Sequence, residues 1–189
     1  MTSLSDFLKK LIKILDDCSV PYMISGSIGS SYHGQPRATK DIDVVMAPTK
    51  KQLLRFVESL GTDYYVSLQA VRDAFASQST FNVIDNLSGW KADFILRRNR
   101  EFSRQEFERR RRAEIGGTDV WVASPEDMIL SKLEWSKKHQ SEQQFHDALG
   151  IAVVQWDHLN VGYLKQWSKE LQVQGSLEQL IDQAERLVK

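Results

Sequence analysis

Two aspartates separated by one residue stand in an otherwise apolar segment of the chain. Asp41 and Asp43 open the run Asp-Ile-Asp-Val-Val-Met, whose composition is typical of a β-strand. Because side chains alternate across a strand, both carboxylates point to one face while Ile42 and Val44 point to the other. Two like charges this close repel each other unless a cation lies between them. Oxygen ligands without a neighbouring Cys or His favour Mg²⁺ or Mn²⁺ over zinc, so the motif predicts a divalent metal site.

A glycine turn precedes the two acids. Gly26 and Ser27 follow the short apolar run 22–24, and thirteen residues separate Ser27 from Asp41, enough for one helix and a return into a neighbouring strand. Backbone amides at such a turn and at the following helix N-terminus bind phosphate oxygens, and glycine lets a phosphate approach the main chain. Taken separately, the turn and the Asp-x-Asp pair are equally explained as surface features. Their combination at this spacing favours a nucleotide site.

A third acid lies in a later apolar segment. In Trp90–Leu96, strand alternation puts Asp93 on the face opposite Ala92 and Phe94, an unexpected place for a charge. Asp93 would complete a three-carboxylate metal site. The alternative is the exposed side of an edge strand.

A lysine and an aspartate follow in the next predicted helix. Ser124 as N-cap, with Pro125 at the first helical position and Asp127 at the third, forms a capping box that explains Asp127 fully. Lys132 lies on the flank of the apolar stripe of this helix, so its stem is expected to run along the core. Its amine either neutralises nucleotide phosphates or belongs to an ordinary surface lysine.

Arginines are concentrated between residues 97 and 112. This stretch has eight arginines against three glutamates, a local excess of five positive charges. Arginine binds phosphate through its planar fork, so Arg109, Arg110, Arg111 and Arg112 are candidates for binding an RNA acceptor. A solvated helix face is the alternative, because no ladder of aromatic residues for base stacking accompanies the arginines.

The overall composition limits the class of protein. With 189 residues and 41% hydrophobic content, the chain is long enough to bury a core. The 25 basic and 25 acidic residues balance, so any attraction to a polyanion must come from a local patch. The lone Cys18 forms no internal disulfide, and no run of about eighteen apolar residues exists. We therefore expect a cytoplasmic protein without a membrane partner.

Hydrophobic periodicity changes along the chain and predicts an α+β fold. We expect a mixed-sheet core flanked by helices in residues 1–123, followed by a C-terminal helical region in residues 124–189. Ser5 is the expected cap of the first helix, and the basic stretch is expected to be helical from Ser103. The predicted strands are 22–24, 41–46, 80–84, 90–96 and 119–122. The predicted helices are 5–18, 27–34, 48–60, 103–112 and 124–138, with further helices to the C-terminus.

The acidic motifs resemble a known superfamily. Gly26-Ser27, Asp41-Ile-Asp43 and a later Asp93 on a strand resemble the nucleotidyltransferases related to DNA polymerase beta. The runs 37–43 and 124–132 are similar to the AbiEii/AbiGii toxin-type branch and its small uncharacterised bacterial relatives. The similarity spans about residues 20 to 150.

The resemblance implies a function and roles for single residues. It implies transfer of a nucleoside monophosphate from an NTP to an acceptor hydroxyl, with RNA or tRNA as acceptor and a cognate antitoxin as a protein partner. Asp41, Asp43 and Asp93 would be catalytic and bind Mg²⁺ or Mn²⁺, while Gly26, Ser27 and Lys132 would bind the nucleotide. Two alternatives are an aminoglycoside- or lincosamide-type antibiotic nucleotidyltransferase and a non-catalytic relative that binds nucleotide or protein.

One position departs from the pattern of that branch. His146-Asp147 stands where a Lys-Asp or Arg-Asp pair is usual. The roles of His146, Asp147 and Asp127 therefore stay open at the level of sequence.

Overall fold

A mixed seven-stranded sheet carries the predicted acidic strands. The computed structural model describes residues 3–189. The strands within them are β1 (Tyr22–Ile24), β2 (Asp41–Met46), β3 (Tyr64–Val66), β4 (Thr80–Asp85), β5 (Lys91–Leu96), β6 (Arg111–Ile115) and β7 (Thr118–Val122). Their order across the sheet is β3-β4-β5-β2-β1-β7-β6. The fold is α+β, as predicted.

β2 and β5 are paired side by side at the centre of the sheet. β2 runs parallel to β5 and antiparallel to β1, and β1 runs parallel to β7. β3, β4 and β5 form an antiparallel meander, and β6 and β7 form a hairpin. The apolar residues Ile42, Val44 and Met46 are fully buried on one face of β2, while Asp41 and Asp43 lie on the other face.

The helices flank the sheet segments and then dominate the C-terminal half. They are α1 (Leu4–Asp17), α2 (Gly26–His33), α3 (Lys50–Leu60), α4 (Leu68–Ser77), α5 (Glu101–Glu108), α6 (Pro125–His139), α7 (Glu142–Val154), α8 (Val161–Glu170) and α9 (Gln174–Val188), with a short 3-10 turn at Trp156–His158. Among residues 3–189 no helix is long and apolar enough to cross a membrane.

The chain divides into two compact units. The first extends to Gly26 and then from Ala38 to Val122, and the second comprises Ser27–Arg37 and Ala123–Lys189. The chain passes directly from the first unit into the second after Gly26. The sequence-based domain boundary between residues 123 and 124 stays a prediction.

The core of the first unit is built on the apolar face of the sheet. Phe94 of β5 lies between two other aromatic rings, with centroid distances of 5.0 Å to Phe56 of α3 and 5.4 Å to Phe81 of β4. α1 packs on both α3 and β7 with its buried stripe of Phe7, Leu11 and Leu15. Because this face holds the hydrophobic contacts, the opposite face is left for polar side chains.

The second unit is helical. α6 packs on α7, which also packs on α9. The segment after Gly26 belongs here: the ring Nε2 of His33 lies 2.7 Å from the carbonyl oxygen of Ala123. A Cβ on Gly34 would come within 2.7 Å of the backbone nitrogen of Ile151, so this glycine permits close packing on α7.

Several elements differ from the sequence-based prediction. Ser3, not Ser5, caps α1, since Ser3 Oγ accepts from the amide of Asp6 at 3.1 Å. The predicted helix over residues 103–112 is wrong at its end: α5 ends at Glu108 and a strand begins at Arg111. That strand pairs with β7, and this pairing outweighs the local helical signal. β3 and α4 were not predicted.

Candidate active site

The three predicted carboxylates lie on one face of two neighbouring strands. In the parallel β2–β5 pair, Asp43 stands beside Asp93 and Asp41 stands beside Lys91. Neighbouring strands are separated by about 4.8 Å, so these side chains are direct neighbours. The residues that alternate with them, Ile42 and Ala92, are fully buried. The sequence therefore folds so that the apolar residues hold the strands while the acids project together.

A lysine bridges two of the carboxylates. The Nζ of Lys91 lies 2.9 Å from Oδ2 of Asp93 and 3.6 Å from Oδ2 of Asp41. The hydrogen bond and charge of Asp93, followed by the charge of Asp41, raise the pKa of Lys91 above its usual value, against the opposing effect of burial. A positive charge thus sits between Asp41 and Asp93, which relieves part of their repulsion.

Neutral side chains orient the same acids. Asn82 of β4 donates a short hydrogen bond from Nδ2 to Oδ1 of Asp93. Thr39 donates from Oγ1 to Oδ1 of Asp41 at 3.0 Å. Asp93 is therefore held on both oxygens, by Asn82 on one and Lys91 on the other. These contacts fix carboxylate positions before any ligand arrives.

Gly26 makes room for the Asp43 carboxylate. Its backbone has a φ of +56°, and a Cβ placed there would overlap Oδ2, Cγ and Cβ of Asp43. The amide of Ser25 donates to the carbonyl of Asp43 at 2.9 Å, which ties this turn to β2. Only glycine satisfies both the left-handed conformation and the close approach.

The donor chemistry of this face fits a divalent cation. Carboxylate oxygens are the ligands that Mg²⁺ and Mn²⁺ take, and the Lys91 ammonium shows that a positive charge is accommodated between Asp41 and Asp93. In the part of the chain that the structure describes, no three His, Cys, Asp or Glu side chains converge as a ready-made metal site. The face offers suitable ligands held near one another by the strand register.

Lys132 lies in a buried ion pair in the second unit. Its Nζ is 2.8 Å from Oδ2 of Asp147 on α7, and both side chains are 5% exposed. It also donates to Oε1 of Gln144 at 3.0 Å. Burial alone would raise the pKa of Asp147, but the hydrogen bond and charge of Lys132, together with Gln143 and Arg37, lower it below its usual value.

Arg37 connects this ion pair to Ser27. Its Nε lies 3.3 Å from Oδ1 of Asp147, and its Nη2 donates a short hydrogen bond to Oγ of Ser27. The two nucleotide-binding candidates of this unit, Ser27 and Lys132, are thus linked through Arg37 and Asp147. Asp147 is one anion that pairs with two cations.

Asp127 and His146 have structural surroundings. Asp127 is fully buried, with Oδ2 2.5 Å from the hydroxyl of its cap Ser124 and Oδ1 accepting from the hydroxyl of Tyr163. His146 makes an edge-on ring contact with Phe145 at 6.4 Å between centroids. The cap predicted at Ser124 is confirmed, and Asp127 reaches α8 as well.

The four consecutive arginines do not lie on one helix. Arg109 ends α5, while Arg111 and Arg112 begin β6. Alternation along β6 puts Arg111 and Arg112 on opposite faces. Their role in acceptor binding stays a prediction.

Sequence reasoning missed Lys91, Arg37 and Asn82. Lys91 carried a signal, because it stands two residues before Asp93 and so shares its face of the strand. Arg37 and Asn82 carried none. The contact of Arg37 with Asp147 joins segments far apart in sequence, and that of Asn82 with Asp93 depends on the register between β4 and β5.

The fold and the acid-bearing face together define a nucleotidyltransferase architecture. Three solved structures are similar. The crystal structure of ANT(2")-Ia in complex with adenylyl-2"-tobramycin has a TM-score of 0.59 at 13% identity, covering 89% of this chain and 96% of that one. Lincomycin-bound LnuA, a lincosamide antibiotic adenylyltransferase, has a TM-score of 0.55 at 11% identity, covering 78% and 95%. An antigenic nucleotidyltransferase-like protein from Paracoccidioides brasiliensis has a TM-score of 0.56 at 15% identity, covering 78% of this chain and 74% of that one.

These identities establish the fold, and a family model establishes membership. The family described as Nucleotidyltransferase of unknown function (DUF6036) matches residues 1–180, so the chain belongs to it. No curated protein matches the chain. The predicted nucleotidyltransferase superfamily is confirmed, whereas the AbiEii/AbiGii branch stays a prediction.

Proposed function

We propose that this protein transfers a nucleoside monophosphate from an NTP to an acceptor hydroxyl and releases pyrophosphate. One observation carries the proposal: Asp41, Asp43 and Asp93 share a sheet face in the register of β2 and β5, with Asp43 packed over Gly26. Family membership supports nucleotidyl transfer as the reaction class. In the reaction, the acceptor oxygen bonds to the α-phosphorus and the bond to the departing pyrophosphate breaks.

The aspartates are assigned to metal binding and catalysis. Asp41, Asp43 and Asp93 would hold Mg²⁺ or Mn²⁺, which when bound stabilises the negative charge of the triphosphate and of the leaving pyrophosphate. We assign the hydroxyl proton to the Asp93 carboxylate, whose position Asn82 and Lys91 fix.

The nucleotide phosphates are assigned to the glycine turn and to basic groups. Gly26 and Ser27 offer backbone amides at the start of α2. Lys132 contributes charge, and Arg37 is a further candidate because it donates to Ser27. Arg37 and Lys132 both pair with Asp147, which holds the two cations close to each other.

RNA, including tRNA, is the acceptor that we propose first, because the arginines of residues 97–112 give a neutral chain a local positive surface. A small hydroxylated antibiotic is the second candidate, because ANT(2")-Ia and LnuA share the fold and their structures contain adenylyl-2"-tobramycin and lincomycin. If RNA is the acceptor, we propose that the reaction takes place in the cytoplasm.

A toxin role follows from the AbiEii/AbiGii resemblance and is tested by growth. Expression of the wild type should arrest a bacterial host, whereas Asp43→Asn should not, and co-expression of a neighbouring antitoxin should restore growth. Growth arrest by the Asp43→Asn variant would contradict a toxin that acts by transfer.

A labelling experiment tests the function and identifies the acceptor. The purified protein with Mg²⁺ or Mn²⁺ and each α-labelled NTP is offered total RNA, cell protein and a panel of aminoglycosides and lincosamides. We expect label on RNA from one preferred NTP. Label on an antibiotic would replace RNA by the second candidate, and label on no acceptor would favour a non-catalytic relative that binds nucleotide or protein.

A further inference from the structure

Three arginines surround two aromatic rings at the edge of the first unit. The guanidinium carbon of Arg110 lies 4.3 Å from the ring centroid of Phe107 and 5.0 Å from that of Trp121. Arg112 lies 4.5 Å from the Trp121 centroid, and Arg97 lies 5.6 Å from that of Phe107. We call these five residues the arginine–aromatic cluster.

Strand pairing explains why alternate arginines belong to this cluster. Arg112 pairs with Trp121 across the β6–β7 hairpin, whereas Arg111 pairs with the fully buried Val122. Paired residues share a face of the sheet, so Arg112 and Trp121 lie on one face and Arg111 on the other. The consecutive arginines are therefore divided by the strand.

Two members of the cluster, Arg112 and Trp121, lie on the same sheet face as the three aspartates. Val122 pairs with Ile24, and Ile24 pairs with Val44, so these three residues mark the apolar face. Their neighbours Trp121 and Asp43 consequently belong to the opposite face. Both groups are within the first unit, at the β7–β6 edge and on the central strands respectively.

In the described part of the chain, no acid forms a direct ion pair with the cluster, although Asp16 is close enough to interact with the charge of Arg112. Within residues 3–189, no carboxylate lies within 4.0 Å of the guanidinium nitrogens of Arg97, Arg110 or Arg112. The Nε atoms of Arg97 and Arg110 are buried and have no hydrogen-bond partner. Burial, and then the nearby charge of Arg97, lower the pKa of Arg110. Arg110 also donates from Nη1 to the carbonyl oxygen of Phe107. The aromatic faces stabilise the guanidinium groups but leave their positive charge without an anion in direct contact.

We propose that the arginine–aromatic cluster binds the phosphate backbone of single-stranded RNA. Planar guanidinium forks match phosphate oxygens, and arginines stacked on aromatic rings offer a flat surface on which unpaired bases stack. An acidic protein segment would use the charge but not the stacking surface. The proposal deepens the proposed function, on which it rests only for the choice of RNA as acceptor.

A binding measurement tests the cluster without the reaction. Fluorescence anisotropy follows a labelled twelve-nucleotide single-stranded RNA titrated with protein at several salt concentrations, in EDTA and without NTP. The variants are Arg112→Gln, whose side chain is exposed, and the double variant Arg110→Gln with Arg112→Gln. The matched control is Arg55→Gln with Arg72→Gln, which removes two exposed arginines from α3 and α4 of the same unit.

The proposal predicts a loss that depends on position and not on charge alone. The double variant should bind RNA about tenfold or more weakly, and its logarithmic salt slope should fall by about 1.4, since each single-strand phosphate contact contributes about 0.7. Arg112→Gln should lose about half of that slope, and the control should behave as the wild type. Arg112→Lys should recover salt dependence but less affinity, because lysine lacks the stacking plane.

Three results would overturn the proposal. The first is that the wild type does not bind RNA, and the second is that the cluster and control variants lose equal RNA affinity. The third is that polyglutamate competes as strongly as unlabelled RNA, which would assign the cluster to an acidic protein. RNA binding that persists in Asp43→Asn, which should not transfer, separates a failure of the reaction from a failure of this site.

Discussion

At the scale of single residues, the acids are held by a lysine that the chain supplies itself. Lys91 lies between Asp41 and Asp93 and is about as exposed as Asp41, with 37% and 38% of their side chains accessible. Its ammonium supplies the positive charge that a divalent ion would also supply. We therefore expect metal binding and Lys91 to compete for the same carboxylates.

Replacing Lys91 should make the free energy of unfolding depend more strongly on bound metal. Lys91→Met should lower the free energy of unfolding by about 0.5–1 kcal/mol in EDTA, the range of a partly exposed ion pair. Mn²⁺ should stabilise this variant more than the wild type, because the carboxylates no longer have a competing cation. Urea unfolding with and without Mn²⁺ measures both quantities.

Lys13→Met is the matched control, because Lys13 forms an exposed pair with Asp17 at 2.8 Å in the same unit. Its small loss should be independent of Mn²⁺. An identical Mn²⁺ response in the Lys91→Met and Lys13→Met variants would show that Lys91 does not act on the metal ligands.

The residue scale also shows what sequence could predict. Strand alternation, which depends only on neighbouring residues, correctly placed Asp41 and Asp43 on one face and Asp93 opposite Ala92 and Phe94. That Asp93 joins the other two depends on the pairing of β2 with β5. Asn82 could not be found in this way, because its contact with Asp93 depends on the register between β4 and β5. The register of a hairpin depends on its turn, which a sequence specifies less sharply than alternation.

At the scale of elements, the turn from β1 into α2 positions Asp43. Gly26→Ala should destabilise the protein by about 1–2 kcal/mol, because a Cβ is unfavourable at a φ of +56°. It should also weaken Mn²⁺ binding about tenfold or more, since the new Cβ displaces the Asp43 carboxylate. Calorimetric Mn²⁺ titration and urea unfolding separate the two effects.

Gly89→Ala provides the comparison. Gly89 has a φ of +74°, and a Cβ there would meet no atom within 4 Å. It should lose stability without losing Mn²⁺ affinity. Equal Mn²⁺ affinity in the Gly26→Ala and Gly89→Ala variants would remove the turn from the metal site.

The contact between α6 and α7 depends on a buried ion pair. Asp147→Asn should lower stability by about 3–5 kcal/mol, since it leaves the Lys132 ammonium buried without its partner. Lys132→Met combined with Asp147→Leu should recover much of this loss, because it removes both buried charges and leaves Arg37, whose side chain is 37% exposed. Recovery of stability without recovery of NTP binding would support both the structural role of Lys132 and its role in nucleotide binding.

The same pair predicts a pH dependence. The pKa of Asp147 is lowered by folding, so its stabilising contribution is present above its ordinary value of 3.8 and is lost as the pH falls below it. Unfolding free energies measured between pH 3 and pH 7 should show this decline in the wild type and a weaker decline in Asp147→Asn. Parallel pH profiles of the wild type and Asp147→Asn would contradict this contribution of Asp147.

Elements were predicted well where periodicity was long and poorly where it was short. α1 and the acidic strands had clear apolar patterns, whereas β3 has only three residues. β6 begins with two arginines, and its strand conformation comes from pairing with β7 across Gly116-Gly117. No local pattern reveals such pairing, so the arginine–aromatic cluster could not be found from sequence.

At the scale of the whole molecule, the chain is neutral overall while its charges are separated locally. The aspartates occupy the central strands, and the arginine–aromatic cluster occupies one edge of the same sheet. The 25 basic and 25 acidic residues cancel in the total, so net charge alone predicts no affinity for RNA. The fold class and superfamily were predictable because the acidic motif and the helical second half are both visible in the sequence.

The most direct test of the central claim compares two labels of the same nucleotide. Wild type and the Asp43→Asn variant are incubated with Mn²⁺, total RNA and NTP carrying the label at either the α- or the γ-phosphate. Asp63→Asn, an exposed aspartate of the same unit, is the control. Our account predicts that wild type and control transfer the α-label to an acceptor and release the γ-label as pyrophosphate. Asp43→Asn should lose at least about a thousandfold in rate, with an unchanged or raised unfolding midpoint. Transfer of the γ-label to the acceptor, or Asp43→Asn activity within about tenfold of wild type, would contradict nucleotidyl transfer at these aspartates.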